Sequence, residues 1–225
     1  MANSGNPWES LALNPDALGQ GEKDLYVKIE PILIELLDEL KNNGKIEISF
    51  IPIEKDHLKN ILDNLTQVSM NYNALIHLFD KEEKVKEFLK VSTAYDFDEQ
   101  KMVNLYVEIT VLLCILNTEL FKTLLLFHLK NVNHKASNFG STMGQFAPVA
   151  WTKLKPHVDS TFRNSLAHGT WALEKKQVVL FDDAKLVPYE KLDLSDFIIK
   201  AKNQNVLFIC LVNTLVAKKR ANFFT

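Results

Sequence analysis

The sequence predicts an all-α fold, an up-and-down helical bundle of four to five main helices with a small β-hairpin before the last helix. Its 225 residues include only seven glycines and seven prolines, about half of what average usage supplies. Neither residue occurs in 53–139, and so long an uninterrupted stretch favours helices over a turn-rich β fold. Apolar residues also recur at helical spacing along most of the chain.

The start of the chain differs in composition from the rest. Residues 1–22 contain five of the glycines and prolines, which is typical of a flexible N-terminal arm. Residues 23–225 are predicted to form a single helical domain, since one domain of this length can bury a sizeable core. The first residues lack a basic start followed by an apolar core, so no signal peptide is predicted.

The first predicted helix follows the arm. Its leucines and isoleucines repeat every three or four positions over residues 25–40, and Asn42, Asn43 and Gly44 end it with a left-handed cap signature. A short strand is predicted at residues 46–50, where isoleucine and phenylalanine alternate with polar residues.

Two further long helices are predicted before residue 131. The second covers residues 54–79, and the charged segment 80–89 either extends it or forms a short helix. The third runs from about 98 to 130. Its apolar part, residues 105–129, is interrupted by polar and charged side chains, so we expect a buried helix rather than a membrane span.

The remaining elements lie around a short motif. Residues 131–146 are predicted to be a loop, followed by a fourth helix over 148–168 that is restarted or kinked at Pro156 and ends at a capping Gly169. Residues 170–173 and 178–181 are predicted to form the hairpin. The last helix is predicted to begin at a Ser195 cap.

Most catalytic signatures are absent from the sequence. It contains no Walker loop, no complete GxGxxG, no HExxH and no GxSxG. Cys114 and Cys210 lie in apolar segments far from each other, and no CxxC pair is present. We therefore expect reduced thiols, a cytoplasmic protein, no metal and no cofactor.

The segment Arg163-Asn164-Ser165-Leu166-Ala167-His168-Gly169 resembles the motif of the HEPN superfamily. That family consists of helical bundles with an Arg-x(4–6)-His motif, often with Asn directly after the Arg. The resemblance covers residues 98–218, and the first ninety residues match no pattern. It implies a metal-independent endoribonuclease of the toxin or antiphage defence type.

The resemblance also implies roles for individual residues. Arg163, Asn164 and His168 would be catalytic at a composite site shared by two copies of the chain. The expected partners are therefore an RNA substrate, a second copy and an antitoxin or defence-complex protein, with no membrane. Thr170 stands where many members have a Tyr that an antitoxin modifies, which puts that mode of control in doubt.

A helical wheel divides this segment into two faces. Val158, Phe162 and Leu166 fall within about 80° of one another, at 100° per residue, and Arg163 and His168 fall opposite them. Imidazole can transfer protons near neutral pH, and a guanidinium can hold a phosphate with two donors. The polar face therefore suits a bound phosphate or a symmetric partner.

Local charge favours an anionic ligand. Residues 120–173 include one acid, Asp159, against six Lys or Arg and four His, so a nearly neutral chain can still present a basic patch. Lys153, Lys155 and His157 are candidate RNA-binding residues, and Asp159 is predicted to orient Arg163. The alternative is a fluctuation of composition, since much of this stretch is the buried third helix.

Other interpretations of the motif stay open. Arg163 could serve only in a helix salt bridge with Asp159, and His168 only as a partner of the helix dipole. Glu108 and Glu119 share a face of the third helix but are three turns apart, so no shared site is predicted. The chain could also be a non-catalytic HEPN-like dimer, or an unrelated helical interaction protein.

Overall fold

The structure is a computed structural model that describes residues 14–46, 60–70 without 62, 65 and 69, 99–130, 132, 138–174, 177–182 and 184–220. Of these residues, 74% are helical. A three-stranded antiparallel sheet lies between the last two helices in the sequence. A mainly helical fold with a small β element before the last helix is therefore confirmed.

The described helices and strands follow one another as a helical region, a small sheet and a final helix. They are α1 (Gln20–Asn42), α2 (Glu99–Phe127), α3 (Phe139–Phe146), α4 (Pro148–Val158), α5 (Ser160–Ala167), β1 (Trp171–Glu174), β2 (Gln177–Phe181), β3 (Pro188–Asp193) and α6 (Leu194–Arg220). Because α1 and α2 fall where the apolar period placed the first and third helices, both predictions are confirmed.

Several predicted elements lie wholly or mainly outside the described residues: most of the arm at 1–22, most of the strand at 46–50, most of the helix at 54–79, and the segment 80–89. Within the arm, Pro15–Ala17 form a 3₁₀ helix and α1 already begins at Gln20. Ile46 pairs with Leu129 in an isolated bridge. The described residues between 60 and 70 are helical.

α2 and α6 lie side by side and run in the same direction. Asn117 on α2 donates to Asn205 Oδ1 on α6 at 2.7 Å, near the middle of both helices. Their N-terminal halves share one hydrophobic cluster and their C-terminal halves share another. α2 is apolar and long enough to cross a bilayer, but 67% of that segment is buried within the fold, as in the core helix of a globular domain.

Two hydrophobic clusters hold these elements together. The large core joins α1, α3, α4 and the C-terminal halves of α2 and α6. The small core joins α5, the sheet and the N-terminal halves of α2 and α6, and its buried members are Val107, Val111, Cys114, Phe162, Leu166, Val178, Leu180, Phe197 and Ala201. The motif helix α5 therefore belongs to the small core.

The predicted helix over 148–168 is interrupted, but not where expected. Pro156 lies inside α4, and the chain breaks at Asp159, whose φ is 28°. The Asp159 carboxylate accepts the amide hydrogen of Phe162 at 3.0 Å and so caps a new helix. A restart at Pro156 is therefore wrong, because the side-chain cap at Asp159 sets the break.

The predicted end of this segment is confirmed. Gly169 takes a left-handed φ of 69°, its amide donates to the Leu166 carbonyl, and the Thr170 amide donates to the Ser165 carbonyl. These two bonds form a Schellman motif, which ends a helix at a residue that tolerates positive φ.

Three sequence predictions are corrected nearby. The loop at 131–146 contains α3, which Asn138 caps through its side chain, because Phe139 and Met143 bury one face in the large core. The hairpin is part of a three-stranded sheet, since β3 pairs with β2. α6 begins at Leu194, directly after β3, and not at a Ser195 cap.

Candidate functional site

The apolar side chains of α5 anchor the motif to the small core. Val158, Phe162 and Leu166 are all buried, as the helical wheel predicted, but Val158 ends α4 and packs in the large core, whereas Phe162 and Leu166 of α5 pack in the small core. Phe162 packs against Phe197 with ring centroids 5.9 Å apart. Ser165 donates to the carbonyl of Phe181 on β2 at 3.0 Å. These contacts hold the backbone of the Arg-Asn-x-x-x-His segment on both sides.

Arg163 does not extend into solvent as the wheel predicted. Its side chain is only 18% exposed and forms an ion pair with Glu119 of α2. Its Nη1 donates to Asn164 Oδ1 at 3.1 Å, while its Nε is buried without a hydrogen-bond partner. The wheel places Cα positions only, and a long side chain can turn back to a neighbouring helix.

Burial is the main influence on the protonation equilibrium of Arg163. It lowers the pKa of the guanidinium, opposed by the nearby Cys114. A guanidinium begins from so high a value that it stays charged in proteins. Arg163 therefore remains a cation that can stabilise a negatively charged phosphate.

Asp159 is not the side-chain partner of Arg163. Its Oδ2 lies 3.1 Å from Lys200 Nζ on α6, and Lys200 also contacts Glu190 of β3 at 2.7 Å. A helix salt bridge between Arg163 and Asp159 as the only role of Arg163 is therefore wrong, because the two side chains pair with Glu119 and Lys200. Asp159 caps the helix that carries Arg163, and its predicted structural role in orienting Arg163 stays a prediction.

Glu119 is the contact residue that the sequence reasoning missed. Its carboxylate pairs with Lys122 at 3.0 Å as well as with Arg163. A signal was available, because a carboxylate in a mostly apolar helix needs a cationic or hydrogen-bonding partner. Comparing Glu119 with Glu108 considers residues of one helix only. It therefore could not identify Arg163, which lies on another helix, as the partner of Glu119.

A cleft of about 610 Å³ opens beside Arg163 and Asn164. α2, the first turn of α3, α4 and α5 line it, and they supply three cations, Lys122, Lys155 and Arg163. None of the described residues that line this cleft is acidic. Glu119 pairs with two of these cations, Lys122 and Arg163, and its negative charge reduces the three positive charges to a local net charge of about +2. This net charge favours an anionic ligand.

The other predicted site residues separate into two groups. Lys155 lines the cleft with Arg163 and Asn164. Lys153 instead pairs with Glu35 of α1, with Nζ–O distances of 2.6 and 2.8 Å. His157 and His168 are not among the residues that line the cleft, and His168 lies exposed at the C-cap of α5.

An exposed apolar patch lies at the start of β3. Its side chains Leu186, Val187 and Tyr189 are 67%, 55% and 41% exposed. The Tyr189 hydroxyl lies 3.1 Å from Ser165 Oγ. The start of β3 therefore lies beside α5, the helix that carries the motif.

The described part of the chain contains no group of three or more His, Cys, Asp or Glu side chains placed to hold a metal ion. The residues that line the cleft supply cations and amides.

Comparisons with family models, with curated proteins and with solved structures find no match for this chain.

Proposed function

We propose that this chain is a metal-independent endoribonuclease of the HEPN toxin or antiphage defence type, acting as a homodimer. The observation that carries the proposal is the cleft that Arg163 and Asn164 line together with Lys122 and Lys155, and with no acidic residue among the lining residues that the structure describes. His168, a group able to transfer protons, lies exposed at the end of the same helix.

The chemistry follows from these residue types. A base removes the proton of the 2′-hydroxyl, the 2′-oxygen attacks phosphorus, and the bond from phosphorus to the 5′-oxygen breaks as an acid protonates that oxygen. His168 serves in these proton transfers. Arg163 stabilises the charge on the phosphorane oxygens. The products are a 2′,3′-cyclic phosphate and a 5′-hydroxyl.

A second copy of the chain completes the site in this proposal. Arg163 and His168 are five residues apart, which places them about 140° apart around a helix, and His168 does not line the cleft of its own chain. A neighbouring copy can supply the histidine. The patch of Leu186, Val187 and Tyr189 offers apolar surface for this contact.

The proposal extends to fold, compartment and partners. An up-and-down bundle fits the parallel course of α2 and α6. α1 and α4 run antiparallel, since Glu35 contacts Lys153 whereas Glu39, later in α1, accepts from the amide of Val149, which is earlier in α4.

The buried free thiols Cys114 and Cys210 fit a reducing cytoplasm. The HEPN resemblance adds an antitoxin or defence-complex partner.

Cleavage of total RNA in EDTA tests the activity. We expect the unaltered chain to cut RNA and to leave cyclic phosphate ends, and Arg163→Ala and His168→Ala to lose cleavage by orders of magnitude. Lys28→Ala, which removes an exposed cation from α1, is the matched control and should keep full activity. Full activity in both motif variants would contradict the proposal.

Dimerisation has its own test. Val187→Asp places a charge in the patch, whereas Val27→Asp places one at a similarly exposed valine of α1. We expect Val187→Asp alone to dissociate the dimer in sedimentation experiments and to reduce cleavage. An active monomer would exclude the composite site.

A second candidate is a non-catalytic HEPN-like dimer that binds RNA or nucleotide or acts as a scaffold. The ion pair between Arg163 and Glu119 favours it, because the guanidinium already has an anionic partner. This candidate predicts RNA binding without cleavage in the same EDTA experiment.

A further inference from the structure

Residues outside the motif also line the cleft. They include the first turn of α3, residues 138–141, and Lys155 of α4. The sequence alone predicted a loop where α3 lies. α3 therefore adds a part of the site that no motif indicated.

The first turn of α3 and Lys155 together suit a phosphate group. The first turn of a helix presents amide hydrogens that no carbonyl of the helix accepts, and the helix dipole favours negative charge there. Asn138 Oδ1 accepts only one of these amides, that of Ser141. Lys155 is exposed, and no hydrogen bond or ion pair joins its side chain to another residue in the described ranges.

The cations that line the cleft differ in their partners. Arg163 and Lys122 share the carboxylate of Glu119, whereas no acidic side chain of the described residues pairs with Lys155. A volume of about 610 Å³ exceeds what one phosphate group needs. The cleft can therefore hold more than one phosphate group.

We propose that Lys155 and the first turn of α3 form a subsite for the RNA phosphate next to the one held by Arg163, so that the cleft binds a single strand across two consecutive phosphates. This proposal rests on the proposed function for the identity of the strand. The contacts are made to the phosphodiester backbone, so the subsite supplies affinity without base specificity.

Binding of a labelled RNA strand with 2′-O-methyl groups throughout tests the subsite without cleavage, because the attacking hydroxyl is blocked. Lys155→Ala should weaken binding about tenfold and reduce the salt dependence by about one single-strand phosphate contact, a slope change near 0.7. Lys153→Ala is the matched control, since Lys153 lies on the same helix but pairs with Glu35. Equal effects of the two variants would overturn the subsite.

A second pair of variants addresses the helix end. Ser141→Glu puts a carboxylate in the first turn of α3, where it can bond back to Asn138 in a capping box and stabilise the helix. We expect weaker strand binding together with an unchanged or higher unfolding midpoint. Gln145→Glu adds the same charge at an exposed position of α3 outside the cleft and should bind normally. Normal binding by Ser141→Glu would contradict the proposal.

Two competitors and one further assay separate the possible outcomes. Inorganic phosphate and adenosine monophosphate should displace the RNA strand only when their concentrations are far above the concentration of the strand. Displacement by the mononucleotide at equal concentration, or no binding of the strand at all, would overturn the assignment to RNA. If strand binding depends on Lys155 but an unmodified RNA is not cut, the subsite stands and the nuclease activity fails.

Discussion

The two cores differ in size and in the elements that they join. The large core is made almost entirely of aliphatic and aromatic side chains from α1, α2, α3, α4 and α6, with α1 contributing six buried residues. The small core joins a helix to a sheet, and polar contacts at its edge connect α5, β3 and α6: Asp159 to Lys200, Lys200 to Glu190, and Ser165 to Tyr189. Polar contacts also join helices of the large core, such as the Ala150 amide to Glu39 at 2.8 Å, so the difference lies in which elements each core positions.

The cleft lies where these two regions meet. α3 and α4 belong to the large core and α5 to the small core, and all three line the cleft. The break at Asp159 allows one segment of chain to serve both cores. The site therefore depends on the relative placement of the two cores.

The largest expected effect on stability comes from truncating one buried side chain in each core. Phe162→Ala in the small core should cost about 3–5 kcal/mol, and Leu36→Ala in the large core about 2–5 kcal/mol, since both side chains are fully buried. Urea unfolding measures both. Only Phe162→Ala should also weaken strand binding below the melting range, because it releases the helix that carries Arg163. Equal weakening by Leu36→Ala would contradict the distinction between the cores.

Substitutions of Asp159 test the junction. Asp159→Ala loses the cap of Phe162 and keeps an unfavourable positive φ, which together cost about 2 kcal/mol. Asp159→Gly relieves the backbone, and Asp159→Asn retains the cap. We therefore expect destabilisation in the order Ala, Gly, Asn in denaturant experiments. A larger loss for Asn than for Ala would show that the charge contact with Lys200 dominates.

Acid should weaken the large core through His128. Burial lowers the pKa of this imidazole, opposed by its 2.6 Å contact with the Leu124 carbonyl. The unfolded chain therefore binds a proton at His128 more tightly than the folded chain does. The free energy of unfolding keeps its full value above the pKa that His128 has in the unfolded chain, and it falls as the pH drops from there towards the lower pKa of the folded state. The slope is at most about 1.4 kcal/mol per pH unit for one proton.

Thermal unfolding between pH 7.5 and 5.5 measures this dependence. His128→Asn keeps a side-chain donor but cannot take up a proton there, so the dependence should become shallower than in the unaltered chain. An identical profile for the two proteins would mean that other groups cause the acid sensitivity.

The smallest expected effect comes from the surface of α4. Lys153→Ala breaks an ion pair whose two side chains are 51% and 40% exposed, so we expect a loss of only a few tenths of a kcal/mol that disappears in high salt. Lys155→Ala should leave the unfolding midpoint unchanged. A clear destabilisation by Lys155→Ala would mean that its side chain supports the fold and not a ligand.

Elements with a strong apolar period could be predicted well. α1, α2 and the Gly169 cap follow from local residue patterns, because leucine spacing and a left-handed glycine act within a few residues. α3 could not, since the Asn, Ser and Gly content around it resembles a loop, and the side chains that pack in or against the large core are few: Phe139, Met143 and Phe146. β3 has four exposed and two half-buried residues, so its apolar alternation gives a weak signal.

For the site, the sequence by itself determined which chemical groups stand close together in the chain: a guanidinium, an amide and an imidazole within six positions. It also determined the scarcity of acids around them. Only the tertiary structure decided that Arg163 meets Glu119, that Asp159 turns to Lys200, and that Lys155 faces the cleft while Lys153 does not. These choices depend on contacts between distant segments, and local patterns do not carry that information.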